Sequence, residues 1–163
     1  MKHILASMVL IVLLFPALAL GGEVTMKDLE KREGLYYKKF TDVLFTGKVT
    51  EKLLRGTFRN GKKDGPWVEY QRNGRLWFKE TYKDGKQDGP FVWYHDNGQL
   101  LDKGTYKDGK PDGPWVIYHD NGQLKDKGTF KDGKRDGPWV GYNSDGTVWK
   151  KYTGTYKDGV KVK

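Results

Sequence analysis

The sequence predicts an all-β protein, an elongated antiparallel meander or solenoid of stacked β-hairpins with a 24-residue period. Three observations carry this reading. Gly65-Pro66-Trp67 recurs as Gly89-Pro90-Phe91, Gly113-Pro114-Trp115 and Gly137-Pro138-Trp139, each copy 24 residues after the last. Beyond Gly21 there is no alanine, and half of the apolar residues are Phe, Trp or Tyr. Asp-Gly and Asn-Gly pairs punctuate the chain, and nothing between them is long enough for a crossover helix. A repeat of this length is one supersecondary unit that cannot bury its own face and must stack on its neighbours.

The elements follow in order. Lys2 and His3 precede an apolar run from Ile4 to Leu20, and Ala17-Leu18-Ala19 offers a small-residue cleavage pattern. Residues 1–21 therefore read as a cleaved secretory signal, and the mature chain is expected in the periplasm or outside the cell. The run contains Pro16 and sits at the low edge of the ~17–25 residues a membrane span requires. Residues 22–40 read as an N-terminal cap, with one short helix over Met26–Glu33. The array then runs as 41–64, 65–88, 89–112, 113–136 and 137–163. Its last unit carries an insertion near Trp149–Tyr152, because Thr155-Tyr156 arrives two residues late.

Within a unit, Pro90–Tyr94 reads as a strand, His95–Gly98 as a turn and Gln99–Tyr106 as the return strand. Lys107–Gly113 reads as a second turn, with Gly109 at positive φ. Asn97-Gly98 is expected to form a tight hairpin with both residues at positive φ. Three columns are expected to form the core: Trp67, Phe91, Trp115 and Trp139; Tyr70, Tyr94, Tyr118 and Tyr142; and Leu76, Leu100, Leu124 and Val148. Val160–Lys163 alternates and reads as a closing edge strand guarded by lysine.

Gly-Pro-Trp-Val-x-Tyr, then Asn-Gly-Gln-Leu, then Lys-Gly-Thr-Tyr-Lys-Asp-Gly-Lys resembles the MORN-repeat-variant family, whose arrays are often labelled YwqK-type antitoxins. The resemblance covers roughly Gly34 to Lys163. It implies an extended β-hairpin array with a binding or scaffolding role. Its label, on an exported chain, implies an immunity-type protein against a toxin of the envelope.

Several chemistries are excluded or disfavoured. There is no cysteine, hence no disulfide, thiolate metal site or cysteine nucleophile. Ser144 is the one serine of the mature chain, and no G-x-S-x-G, P-loop or H-E-x-x-H motif is present. No enzyme activity, cofactor or metal is expected. Asp84, Asp88 and their copies at Asp108, Asp112, Asp132 and Asp136 suggest calcium. However, lysines such as Lys86, Lys110 and Lys134 sit beside them, and turn formation is the better reading. His95 and His119 read as solvated hairpin tips.

The formal charge of +9 is concentrated at the two ends of the chain, so a nucleic-acid groove is not expected. One basic row is legible: Lys79, Lys103 and Lys127, sharing a face with Thr81, Thr105 and Thr129. Trp77, Trp93 and Trp149 break the repeat pattern and are free to anchor a partner. The leading reading is an exported, non-enzymatic protein-binding or scaffold module using Trp77, Trp93 and nearby tyrosines. The alternative is a surface that binds anionic lipid or cell-wall polymer through the lysine row.

Overall fold

The computed structural model describes residues 23–162, and the signal reading falls outside them. Eleven strands lie side by side in sequence order as an open antiparallel sheet, from Gly47–Thr50 at one edge to Val160–Lys161 at the other. At ~4.8 Å per strand the sheet is roughly 50 Å across. Four two-residue strands, among them Lys110–Pro111, pair beside this path. The meander and its 24-residue period are as the sequence predicts.

One unit shows how the residues build it. Gly89–Tyr94 pairs with Leu100–Lys107, which pairs on its other side with Gly113–Tyr118. The two turns exchange the roles expected of them. Asp108 and Gly109 have φ of 49° and 82° between the paired Lys107 and Lys110, so the tight primed turn is here. At the Asn-Gly end only Gly98 has positive φ, 86°, and the loop is wider. The Gly98 N–H donates to the His95 carbonyl, and the His95 N–H to the Gln99 carbonyl, both at 2.8 Å. Asn97 contributes through its side chain, accepting from the Gln99 N–H at 2.9 Å and donating to the Asp120 carbonyl of the next unit at 2.6 Å. Side-chain bonding of this kind holds Asn97 outside the left-handed region.

The core is one face of the long sheet, joined at its N-terminal end by Leu29 and Phe45. Trp67, Phe91, Trp115 and Trp139 are buried, as the first column requires. Their partners Tyr82, Tyr106 and Phe130 meet them edge to face, and Tyr156 closes the same buried cluster. Centroid separations are 5.4 Å for Tyr106–Trp115, 5.1 Å for Trp115–Phe130 and 4.9 Å for Phe130–Trp139. The Tyr70 column and Leu76, Leu100 and Leu124 are only half-buried, and Val148 is exposed. Tyr70 lies on the opposite face, because Trp67 and Tyr70 differ by an odd number of residues and strand faces alternate with period two.

A glycine notch lets each tryptophan approach the sheet. A Cβ on Gly56 would lie 2.2 Å from the Trp67 ring, one on Gly104 2.4 Å from Trp115, and one on Gly128 2.2 Å from Trp139. In the remaining unit the notch position is Glu80, and the ring above it is Phe91, smaller than Trp. The two departures compensate each other, and they divide the apolar interior. One cluster runs from Leu29 to Trp67, the other from Phe91 to Tyr156.

Both ends depart from expectation in detail. Met26–Asp28 is a 3-10 turn and not a helix to Glu33, and Leu29–Arg32 is a strand paired with Leu35–Lys38. The physical reason is Glu33-Gly34, with φ of 49° and 82°, which repeats the Asp-Gly turn and closes a hairpin. At the other end Val160–Lys161 pairs with Tyr156–Lys157 as a short edge strand. The insertion is a turn: the N–H groups of Tyr152 and Thr153 both donate to the Trp149 carbonyl at 3.1 Å.

Candidate functional site

Strand alternation gives the sheet two unlike faces. Aromatic rings fill one. On the other, cross-strand pairing places Arg55 beside Val68, Val68 beside Lys79, Lys79 beside Val92, and Val92 beside Lys103. Val116, Lys127 and Val140 continue the same line. The basic row expected from sequence is therefore a real ladder, and Arg55 extends it by one unit. Each cation is exposed and each valine half-buried. Among the described residues none of these four cations lies within ion-pair distance of a carboxylate. Arg55 instead lies 5.6 Å from the centre of the Tyr70 ring.

Beside this ladder runs a second row of Pro66, Pro90 and Pro114 paired with Thr81, Thr105 and Thr129. The Thr81 hydroxyl donates to the Pro90 carbonyl at 3.2 Å, tying one hairpin to the next. Proline has no N–H and is the second residue of each strand, near its start, where the ladder loses least. Together the rows form an open groove of about 500 Å³, lined by Lys79, Lys103, Val92, Val116, Pro90 and Thr105 among others.

Of the tryptophans expected as anchors, Trp77 and Trp93 both lie against Phe78, and Trp149 lies apart in the insertion. Trp77 is 40% exposed beside Phe78. Trp93 stacks on Phe78 at 5.8 Å and donates its indole N–H to Glu80 at 2.9 Å. Trp149 lies in the insertion, 4.2 Å from Tyr152, and both pack over Gly141, where other units carry Glu69, Trp93 or Ile117. Trp149 thus covers a gap that Gly141 leaves.

The aromatic face holds charged groups that the sequence reading did not single out. Glu80 is buried and also accepts a 2.6 Å bond from the Tyr82 hydroxyl. Burial, then that bond, pushes the Tyr82 phenol well up. The Lys63 ammonium lies 4.2 Å over Trp67 and 4.7 Å over Tyr82; burial lowers its pKa, while Glu80 pulls it back. Arg135 lies 4.3 Å over Trp139 and pairs with Asp126 at 2.9 Å. Burial pushes the Asp126 carboxyl up against the opposing pull of Arg135. The signal for Glu80 is departure from the repeat, since Gly56, Gly104 and Gly128 stand at its counterparts; Arg135 has no such signal, because that position is Lys63, Gln87 and Pro111 in the other units.

Asp102 is the counterpart of Asp126, but Pro111 stands where Arg135 would. Its Oδ1 is buried with no hydrogen-bond partner among the described residues, and burial pushes its carboxyl up to about 6 against the Lys103 N–H and the Trp115 side chain. The folded state thus holds the proton more tightly than the unfolded chain. Ionised Asp102 therefore costs stability, little near pH 4 and fully above about pH 6. Asp102→Asn is expected to stabilise by about 1–2 kcal/mol at pH 7.5, allowing for solvent screening, and to change little at pH 4. Urea unfolding at both pH values checks this.

The histidines are not solvated tips. The half-buried His95 and His119 donate from Nε2 to the carbonyls of Tyr118 and Tyr142 at 3.1 and 3.0 Å, stapling each hairpin to the next. Gln71 does the same to the His95 carbonyl at 3.1 Å. Asp88 and Asp112 accept from the N–H groups of Asp108 and Asp132 at 3.1 and 3.2 Å, so these carboxylates also join units. Among the described residues no group of three or more acids and histidines could hold a metal ion.

The geometry of glycine notch, hairpin and 24-residue step meets its counterpart in sequence comparison. The MORN repeat variant matches over residues 63–84, 87–108 and 111–132, and the MORN repeat over 55–66, 103–114 and 127–138. The chain belongs to the MORN repeat family. No curated protein sequence matches the MORN array. Among solved structures it is similar to accessory secretory protein 1, 2 and 3 of Streptococcus pneumoniae. That match has 14% identity and a TM-score of 0.33, over 71% of this chain and 21% of the other. A complex of GtfA/B bound to UDP and GlcNAc matches at 8% identity and a TM-score of 0.23, over 80% and 26%. The chain thus spans about a fifth to a quarter of the length of these structures.

Proposed function

We propose that this MORN array is an exported, non-enzymatic binding module that holds another protein against its cationic face. The observation that carries the reading is the row of Arg55, Lys79, Lys103 and Lys127, exposed and without carboxylate partners among the described residues. Such a row costs self-repulsion, and a partner of opposite charge relieves it. Half-buried valines between the cations add apolar area that water alone does not require. The signal-like pattern of residues 1–21 supports a site of action in the periplasm or outside the cell. Repeat arrays commonly supply extended surfaces of this kind.

The same row favours a second reading, in which the face lies on anionic lipid headgroups or cell-wall polymer. Exposed ionic contacts of that sort weaken with salt, since the Debye length is ~8 Å at 0.15 M. A photo-crosslinking residue at Val92 of the full chain, expressed in its native host, separates the two. A protein adduct at Val92 and none at exposed Arg72 is the expected result. Adducts with lipid or polymer alone would establish the second reading. No adduct at Val92 would remove the face from consideration.

A further inference from the structure

We infer that the partner segment is an acidic polyproline-II strand, with a carboxylate at every third residue, lying across the β-strands along the lysine ladder. This rests on the protein-binding reading and specifies its ligand. The argument is one of matching periods. Lys79, Lys103 and Lys127 are each separated by one valine-bearing strand, so at ~4.8 Å per strand they recur every ~9.6 Å. A polyproline-II helix has three residues per turn and rises ~3.1 Å per residue, so one side of it recurs every ~9.3 Å. An extended β-segment does not match. Its side chains on one face recur every two residues, ~6.7 Å apart, and fall out of step with the lysines after one repeat. An α-helix, with a pitch of 5.4 Å, falls out of step as well.

The groove suits such a ligand in its other properties. Its lining includes Pro90, Pro114, Val92 and Val116, apolar surface that accepts the rings of a proline-rich segment. It offers no free sheet edge: the strands that line it are hydrogen-bonded on both sides, so strand addition is not available there. A polyproline-II segment needs no ladder of backbone partners and loses little entropy on binding, because its conformation is largely preformed. The next row of cations is paired with carboxylates only at its ends, Arg59 with Asp64 at 3.0 Å and Lys157 with Asp136 at 3.6 Å, and its middle members Lys83, Lys107 and Lys131 lie beside further lysines, not valines. The inner ladder carries no such carboxylates.

The test uses the full chain and a fluorescent peptide of five Glu-Pro-Pro triplets. The comparison peptide has the same fifteen residues with its five glutamates contiguous. Binding is read by anisotropy at 0.15 M salt. The triplet peptide is expected to bind at least tenfold tighter than the contiguous one. Lys103→Glu is expected to weaken it at least tenfold with an unchanged thermal unfolding midpoint, and Lys103→Arg to restore it. Equal binding of the two peptides, or tighter binding of poly(glycerol phosphate) at equal charge, would overturn the inference, since either would show a surface that reads charge and not spacing. No binding of the triplet peptide would also overturn it. If a protein is still crosslinked at Val92 in that case, the protein-binding reading stands and only the ligand class is wrong.

Discussion

Truncating Trp139 to alanine is expected to destabilise the array by about 3–5 kcal/mol, the range for removing a large buried aromatic ring. Trp139 is 1% exposed and meets Phe130 edge to face at 4.9 Å. Its indole N–H donates to the Thr129 carbonyl at 3.0 Å, and Arg135 lies over its ring. The ring therefore joins three strands, and its loss leaves a cavity that a single sheet layer cannot close from the opposite side. Urea unfolding followed by tryptophan fluorescence and by far-ultraviolet circular dichroism measures the loss. A cost below about 1 kcal/mol would show that the aromatic face is not the core.

Gly128→Ala is expected to cost about 3 kcal/mol, at the upper end of overpacking effects, although it adds only one methyl. The glycine does not have positive φ, so space alone decides the outcome, and the added Cβ would lie 2.2 Å from the Trp139 ring. The two substitutions share one contact and are expected to couple. With the ring gone the methyl has room, so Gly128→Ala in the Trp139→Ala background is expected to cost much less than it does alone. Additive costs would show that the ring does not rest in the glycine notch. Nature has made a related pair of changes two units earlier, where Glu80 occupies the notch and Phe91 lies above it.

The fold was legible because the repeat exposes its own requirements. Gly65-Pro66-Trp67 and its copies recur in register, and the strands follow from alternation and turn residues. The turn types were less legible. Asn97-Gly98 and Asp108-Gly109 have similar local chemistry, and the length of the surrounding loop decides which pair takes both positive φ values. The N-terminal hairpin was missed because Met26–Glu33 has no repeat to compare with, and the Glu33-Gly34 turn reads as an Asp-Gly turn only once its pairing is known. On the candidate site, the spacing of Lys79, Lys103 and Lys127 identified the ladder. The valines between them and the absence of nearby carboxylates needed the register of strands from different units. Trp93 illustrates the opposite case. It stands out in sequence as a departure from the repeat, and the reason for it is Glu80, also a departure, thirteen residues away and hydrogen-bonded to it. Departures that compensate each other across strands look like free residues until the strands are paired.

The central claim is that the lysine–valine face, not the tryptophans, carries the binding function. The most direct test repeats the Val92 crosslinking in the native host in two variants of the full chain. One reverses charge at Lys79, Lys103 and Lys127 together, and the other is Trp77→Ala. The account predicts that the protein adduct disappears in the first and persists in the second. An adduct that survives the triple reversal and is lost with Trp77→Ala would contradict it.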